Sequence, residues 1–381
     1  MEKRLRLGHG SIFSNEIDVA KTPLSGFEPG AIAEVSDAGG KPVGLAYVNP
    51  NALICARLLT RDVHASIDVS WFVRMLRRAV AMRDRIYEAP FYRAVYGDSD
   101  GLPGIIVDRF GDVLVVQLNT AGAEALEASI VPALHEVFAP AAIRVTSAHA
   151  MRELEGLKLV DRIHGELPAH VVIPEGGAEF LAPLEGGQKT GWFYDQRENR
   201  LAAARFASGA RVLDTFAYVG AWSIHAARAG AREVVTVDRS EFALDVARQN
   251  AERSGVAIET IAGDALETMQ RLAGDGRRFD LAIVDPPALI KRRKDREGGI
   301  ALYERINVAA LELLAPDALL VSCSCSFHME EESLRRALLG AAKKTGRRIQ
   351  LIARYGQGFD HPVHPAMPET NYLKGYLLRV T

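Results

Sequence analysis

Cysteine is scarce. Three residues, Cys55, Cys323 and Cys325, occur in 381, too few for a disulfide framework and in keeping with a reducing cytosol. Long apolar runs are absent: none approaches the roughly 18 residues needed to cross a bilayer, so no membrane partner is expected. The first ten residues, Met1–Gly10, carry no apolar stretch after their basic residues and do not read as a signal peptide. A cytoplasmic protein is the expectation. Excess charge of one sign is missing too, the formal net charge being -2. A nucleic-acid partner is therefore not announced globally, and any basic footprint must be local. Low-complexity tracts and internal repeats are lacking. What remains is ordinary globular material, 48% hydrophobic and 25% charged, in a chain longer than one compact domain usually holds.

Three segments differ in pattern. Residues 1–66 read as short strands punctuated by Gly, Pro and Asn, including Ala31–Val35, Pro42–Tyr47 and Leu53–Leu59, with a turn at Asp37-Ala38-Gly39-Gly40. A small β-barrel or sandwich suits them. Residues 67–185 are mixed α+β. Val69–Tyr87 has helical spacing, with Arg74, Arg77, Arg78, Arg83 and Arg85 among its polar positions. Gly104–Asp108 and Val113–Leu118 read as a hairpin, Ala121–Phe138 as a helix and Ile143–Ser147 as a strand. Residues 186–381 alternate strand and helix, the mark of a parallel doubly wound sheet. The predicted strands are Arg211–Thr215, Glu233–Asp238, Ile258–Ala262, Asp280–Val284, Ala318–Cys323, Arg348–Arg354 and Lys374–Val380. No helix is evident between the last two, so an antiparallel pair is expected there.

Ligands of open α/β sheets bind beyond the carboxyl ends of the strands. After the first strand runs Asp214-Thr215-Phe216-Ala217-Tyr218-Val219-Gly220, a turn into a helix whose N–H groups suit a carboxylate. Phe216 and Tyr218 stand where a glycine-rich loop would have glycines, so an ordinary turn with packed aromatics stays open. After the second strand, Asp238 lies where an acid accepts ribose hydroxyls, or caps the next helix, a task Ser240 could also take. Asp264 follows the third strand, suited to an adenine amino group or to capping. Asp285-Pro286-Pro287 follows the fourth, a rigid wall holding an acid. Ser322-Cys323-Ser324-Cys325-Ser326 follows the fifth. Residues two apart share a strand face, so alternation does not choose between Cys323 and Cys325. His328 has no accompanying Cys/His cluster, and no metal is expected.

Seven strands ending in an antiparallel pair resemble the class I methyltransferase arrangement, a Rossmann-like sheet that binds S-adenosyl-L-methionine. Asp-Pro-Pro marks such enzymes acting on planar nitrogenous substrates. Those that methylate exocyclic amines follow it with an aromatic residue, and Ala288 argues against that chemistry. A thiol and a carboxyl group beside a methyl donor suit pyrimidine C5 methylation. There a thiolate adds to C6 and makes C5 nucleophilic, while the carboxyl group holds N3 and the exocyclic amine of a base turned out of its stack.

Longer stretches point to one family: Gly97–Gly104 with Asp108-Arg109-Phe110-Gly111, the run Lys189–Arg197, Asp285-Pro286-Pro287, Cys325-Ser326, Asp360-His361-Pro362-Val363 and Tyr372-Leu373-Lys374-Gly375. Through these the chain resembles, over nearly its whole length, the bacterial 23S ribosomal RNA large-subunit methyltransferase I family, which makes 5-methylcytosine. The resemblance implies an N-terminal PUA-like RNA-binding barrel, a central α+β domain, a C-terminal methyltransferase domain, ribosomal RNA as partner and, in some members, a homodimer. It implies Cys325 as nucleophile and a cofactor-lining role for Phe193, Asp195, Gln196 and Arg197, joining Asp214, Phe216, Tyr218, Gly220, Asp238, Asp264 and Asp285. The family often has an aromatic residue where Leu289 stands, and Gly8–Ser14 matches only the end of its usual His-Pro-Trp start. Lys291-Arg292-Arg293-Lys294, beside Asp285, suits phosphates flanking a target base, or is a solvated loop. Two other readings stay open: a methyltransferase for a small molecule, a protein or another RNA atom, and a non-catalytic RNA-binding protein.

Overall fold

The computed structural model describes residues 2–147 and 151–381. The chain forms two compact units, one of Met1–Ala169, Gln188–Tyr194 and Phe359–Thr370, the other of His170–Gly187, Asp195–Gly358 and Asn371–Thr381.

In the first unit β1 (Ser11–Phe13), β2 (Ile32–Ser36), β3 (Pro42–Val48) and β4 (Ile54–Thr60) form an antiparallel sheet in the order β1-β4-β3-β2. The β2–β3 turn sits where Asp37 was expected to make one: its Oδ1 accepts from the N–H groups of Gly39 and Lys41, both at 3.0 Å. A second, mixed sheet runs β5 (Phe91–Tyr96), β6 (Ile105–Phe110), β7 (Val113–Leu118), β8 (Ala142–Thr146) and β9 (Asp161–Gly165). Helix Val69–Arg83 starts at Asp68, whose carboxylate accepts from the Trp71 N–H at 2.9 Å. It buries Trp71, Phe72, Leu76 and Val80 in the core of that sheet. The helix expected over Ala121–Phe138 is two helices, Ala121–Ala125 and Glu127–Phe138, meeting at Leu126. Apolar spacing continues through the break (Ala123, Ile130, Ala133, Leu134), so periodicity does not register it.

Two of the distinctive motifs have structural work in this unit. Asp100 takes a two-pronged bond from Arg83, 2.7 Å at each oxygen. Asp360 accepts from the Arg93 N–H at 2.8 Å through its carboxylate and from Arg83 through its carbonyl. A fully buried arginine thus finds a counter-ion and carbonyls, which its burial requires.

The second unit opens with a hairpin, β10 (His170–Glu175) and β11 (Ala178–Pro183). Asn250 ties it to the rest of the unit, its Oδ1 accepting from the Leu181 N–H at 2.6 Å. A seven-stranded sheet follows: β12 (Arg211–Thr215), β13 (Glu233–Asp238), β14 (Glu259–Ala262), β15 (Phe279–Val284), β16 (Leu314–Ser324), β17 (Ile349–Tyr355) and β18 (Lys374–Val380). The order is β14-β13-β12-β15-β16-β18-β17. β12 to β16 are parallel, while β18 runs antiparallel to both of its neighbours. The expected terminal antiparallel pair is present. β16 begins four residues earlier than expected, because Pro316 and Asp317, the latter at φ 61°, read as a breaker yet are accommodated inside the strand.

The central strands are apolar on both faces, and alternation sorts them. Leu213, Val235, Val237, Ala282, Val284 and Leu320 meet helices Ala265–Gly274, Arg296–Leu313 and Glu331–Thr345. Val212, Val234, Leu281, Ile283 and Val321 meet helices Arg197–Ala204 and Ala221–Arg228. A parallel sheet covered on both sides has only its strand ends open to a ligand.

Candidate active site

Four neighbouring strands, β13, β12, β15 and β16, end side by side and deliver Asp238, Asp214, Asp285 and Cys325 to one edge. The turn after β12 is tightly held. Phe216 and Tyr218 are left-handed at φ 61° and 50°, and Gly220 follows at 78°. Non-glycine residues adopt that region at a cost of about 1–3 kcal/mol each, and specific bonds hold it here. The Ala217 N–H donates to the Val237 carbonyl at 3.1 Å and the Gly220 N–H to that of Ala217 at 2.9 Å. The Tyr218 N–H donates to Asp238 Oδ2 at 2.8 Å. Several N–H groups expected to face a ligand are thus engaged inside the protein.

Asp238 does not cap the following helix. Ser240 does, accepting from the Ala243 N–H at 3.2 Å, while Asp238 braces the strained turn and accepts from the Ser240 N–H at 2.8 Å. Asp264 is the cap of its own helix, accepting from Leu266 and Glu267 N–H groups at 2.9 and 3.2 Å, and its other oxygen meets Arg239 at 2.6 Å. Burial works against the ionised Asp264, but those N–H groups and Arg239 hold its carboxyl below the usual range.

Asp214 is fully buried. Its Oδ2 accepts from the N–H and hydroxyl of Ser223 at 3.1 and 2.7 Å, and its Oδ1 has no hydrogen-bond partner among the described residues. Burial, reinforced by Asp285 and Asp238 and opposed by Ser223, pushes its carboxyl up to about 7. Asp285 accepts from Gln196 Nε2 at 2.9 Å on one oxygen and Trp222 Nε1 at 3.2 Å on the other. Burial and the neighbouring Asp195 raise it to about 6. Asp195 in turn accepts from the Tyr372 hydroxyl. Several acids crowded at one edge, one with a bare buried oxygen, suit a cationic ligand carrying hydroxyl and amine donors.

Cys325 lies one residue past the end of β16, partly exposed, its Sγ 3.7 Å from the Pro286 carbonyl. Cys323 is fully buried among Trp222, Val321 and Leu377, and burial raises its thiol well above the ordinary value. Two serines flank Cys325, and both hydroxyls meet Tyr303 OH, Ser324 at 2.9 Å and Ser326 at 3.0 Å. Ser326 Oγ also accepts from the Ile290 N–H at 3.1 Å. This buried hydroxyl chain fixes the Cys325 turn to the segment after Asp-Pro-Pro. Lys374 reaches the same turn, donating to the Ser326 carbonyl at 2.9 Å.

Gln196 and Arg197 lie with Asp195 in the second unit, Gln196 bonded to Asp285 as described. Phe193 belongs to the first unit, where Lys189 Nζ stands 4.8 Å from its ring centre. Lys291, Arg292, Arg293 and Lys294 are all exposed after β15. Sequence reasoning missed Trp222, Tyr303 and the buried set of Glu175, Arg200 and His225. Only Arg200 left a trace, three residues beyond Arg197 on one helical face.

Residues 138–358 match the family model described as S-adenosylmethionine-dependent methyltransferase, and residues 1–61 match that of the PUA-like domain. The ribosomal RNA large subunit methyltransferase I of Erwinia tasmaniensis is 37% identical over 388 residues, covering 100% of this chain and 97% of that protein. A solved Streptococcus mutans structure described as a SAM-dependent methyltransferase is 19% identical with a TM-score of 0.82, covering 99% of this chain and 97% of its own. Another, described as a methyltransferase complexed with SAH, is 20% identical with a TM-score of 0.84 and the same coverage.

Proposed function

We propose, because the chain belongs to the family of ribosomal RNA large subunit methyltransferase I, that it methylates ribosomal RNA at cytosine C5 through a covalent bond to Cys325. That it is an S-adenosylmethionine-dependent methyltransferase follows from the family itself. When bound, the cofactor supplies an electrophilic methyl group. Asp214, Asp238 and the turn Phe216–Gly220 would hold it, with Asp195, Gln196 and Arg197 beside them and Asp264 as further lining. The bare Asp214 oxygen is the feature of this edge that fits a donor-bearing cation.

The chain's own residues would then act in order. Cys325, partly exposed, gives up its proton to solvent, and its sulfur forms a bond to C6 of the base. The displaced ring electrons make C5 nucleophilic, with N3 held by the carboxyl group of Asp285. Once C5 carries its methyl group, its remaining proton leaves to a base, the sulfur–C6 bond breaks, and Cys325 departs with the bonding pair. An acid raised to about 6 keeps a protonated fraction near neutrality, and a protonated carboxyl group is the form that donates to N3.

The reading includes the rest of the chain. Residues 1–66 serve as a PUA-like RNA-binding barrel, 67–185 as a central α+β domain whose last hairpin, β10–β11, is counted with the second compact unit, and 186–381 as a Rossmann-like methyltransferase domain. Lys291, Arg292, Arg293 and Lys294 bind phosphates around the target. The reaction takes place in the cytoplasm.

One observation carries the proposal: a partly exposed thiol stands beside the Asp-Pro-Pro segment, on strands that are neighbours. The test is methyl transfer from labelled cofactor to ribosomal RNA from a strain lacking this protein, followed by nucleoside analysis. Label in 5-methylcytosine with wild type and not with Cys325→Ala is expected. Label in another nucleoside, or activity surviving the substitution, would sink the C5 mechanism and leave the family and cofactor standing.

A further inference from the structure

Lys374 has no part in the chemistry above, yet it is bound up with the turn that carries it. It opens β18, directly opposite Ser324 in the antiparallel register. Its ammonium group donates to the Ser326 carbonyl at 2.9 Å. The side chain therefore passes Cys325, from the residue before it to the residue after it. A half-buried ammonium group has three donors, and among the described residues the Ser326 carbonyl is the acceptor that meets them. A methionine would fill such a place without the desolvation cost of a charge.

We propose that Lys374 is a positioning residue for Cys325: it pins the thiol's turn through the Ser326 carbonyl and supplies the positive charge that favours the thiolate. The inference rests on the reading of Cys325 as nucleophile. A cation beside a thiol stabilises its ionised form and raises its reactivity at neutral pH. Among the described residues, titratable groups stand on both sides of this pair, and Asp285, one residue before Pro286, brings an acid to the thiol's side that works against the thiolate. Tyr303 and Cys323 stand on the thiol's side, and both are raised by burial, so neither adds charge near pH 7. Glu331, at the start of helix Glu331–Thr345, faces Lys374 and favours its charged form. Burial pulls the ammonium group down to about 8, so it stays mostly charged at neutral pH.

The test reads Cys325 itself. Iodoacetamide labelling of the full chain, quantified at Cys325 by mass spectrometry across pH 5–10, gives the thiol's midpoint. Lys374→Met is expected to raise that midpoint by about one unit, a tenfold loss of thiolate at fixed pH. It is also expected to lower kcat on ribosomal RNA about tenfold, with KM little changed. Lys374→Arg should restore the midpoint. Lys374→Gln, which keeps a donor for the Ser326 carbonyl, should shift it as Lys374→Met does. An unmoved midpoint in Lys374→Gln overturns the charge role, even if Lys374→Met fails to fold. Failure of Lys374→Arg to rescue the midpoint overturns it too. The underlying reading fails separately, if Cys325→Ala keeps methyl transfer.

Discussion

Glu175 offers a sharp test of how the second unit is held together. It ends β10 with its carboxylate fully buried. Arg200 meets it twice, at 2.7 and 2.6 Å. His225 Nε2 stands 3.1 Å from one oxygen, and Arg197 Nε stands 3.5 Å from the other. Burial alone would raise this acid, but Arg200 and His225 overwhelm it and hold the carboxyl far below the usual range. Glu175→Gln removes the carboxylate charge that Arg200 and Arg197 meet in this buried cluster. Breaking a buried pair by removing one partner costs about 3–5 kcal/mol. For a cooperative unit of this size that is a fall in Tm of about 10 °C. The assay is thermal and urea unfolding at pH 7, followed by circular dichroism. Arg200→Met in the Glu175→Gln background removes the stranded charge and should recover more than half of the loss. The pH dependence has a fixed sign. A carboxyl group depressed on folding contributes stability that is present above its unfolded value, 4.5, and is lost as pH falls through the folded one. The difference between wild type and Glu175→Gln should therefore shrink on acidification below about pH 4.5. A loss smaller than about 1 kcal/mol at pH 7, or one that grows in acid, would refute the reasoning.

Asp214 predicts the opposite slope. Its carboxyl is raised to about 7, so its contribution is present below the unfolded value and lost as pH rises through the folded one; Asp214→Asn should be more stable than wild type at pH 8 by about 2 kcal/mol or more and bind S-adenosylmethionine more weakly, read by melting and calorimetry. Tyr303→Phe removes the hydroxyl shared by Ser324 and Ser326. It should cost about 1–3 kcal/mol and lower kcat more than it raises KM, in contrast to a variant that only weakens RNA binding. Replacing Lys291, Arg292, Arg293 and Lys294 by Gln should weaken RNA binding and flatten its dependence on log salt by about 0.7–0.9 for each phosphate that is no longer neutralised. An unchanged slope in filter binding would return that run to the status of a solvated loop.

The fold of the second unit was largely legible, because parallel strands are written as short apolar runs between helical periods. Arg211–Thr215, Glu233–Asp238 and Lys374–Val380 coincide with β12, β13 and β18 to the residue. The antiparallel end was legible for a negative reason: no helical period separates the last two strands. Less could be read where tertiary packing overrides local signals. Pro316 and Asp317 look like a strand break and lie inside β16. The β10–β11 hairpin belongs with the second unit through Asn250, a link between residues some seventy positions apart. At the site, strand ends located Asp214, Asp238, Asp285 and Cys325. Trp222 and Tyr303 were out of reach, since they come from helices that only folding brings to the same edge; Gln196 was named through the family resemblance, but not its bond to Asp285.

The four acids of this edge also show why residue type and position alone leave function open. Each has a structural occupation that would justify its presence. Asp264 caps a helix through Oδ1 and meets Arg239 through Oδ2, so both of its oxygens are engaged. Asp238 braces a left-handed turn. Capping and the Arg239 pair depress Asp264, and an acid so satisfied is held by its own protein. Asp214 and Asp285 differ in the direction of their shift. Both are raised by burial, Asp214 to about 7 with Asp285 adding to it and Asp285 to about 6 with Asp195 adding to it. Hydrophobic residues of similar volume would avoid that cost, and no ion pair with a protein cation repays it for either residue among the described residues. Two raised acids on adjacent strands, β12 and β15, are therefore a local conflict that a cationic ligand would relieve. The conflict, rather than the count of aspartates, is what favours this end of the sheet as the proposed binding site.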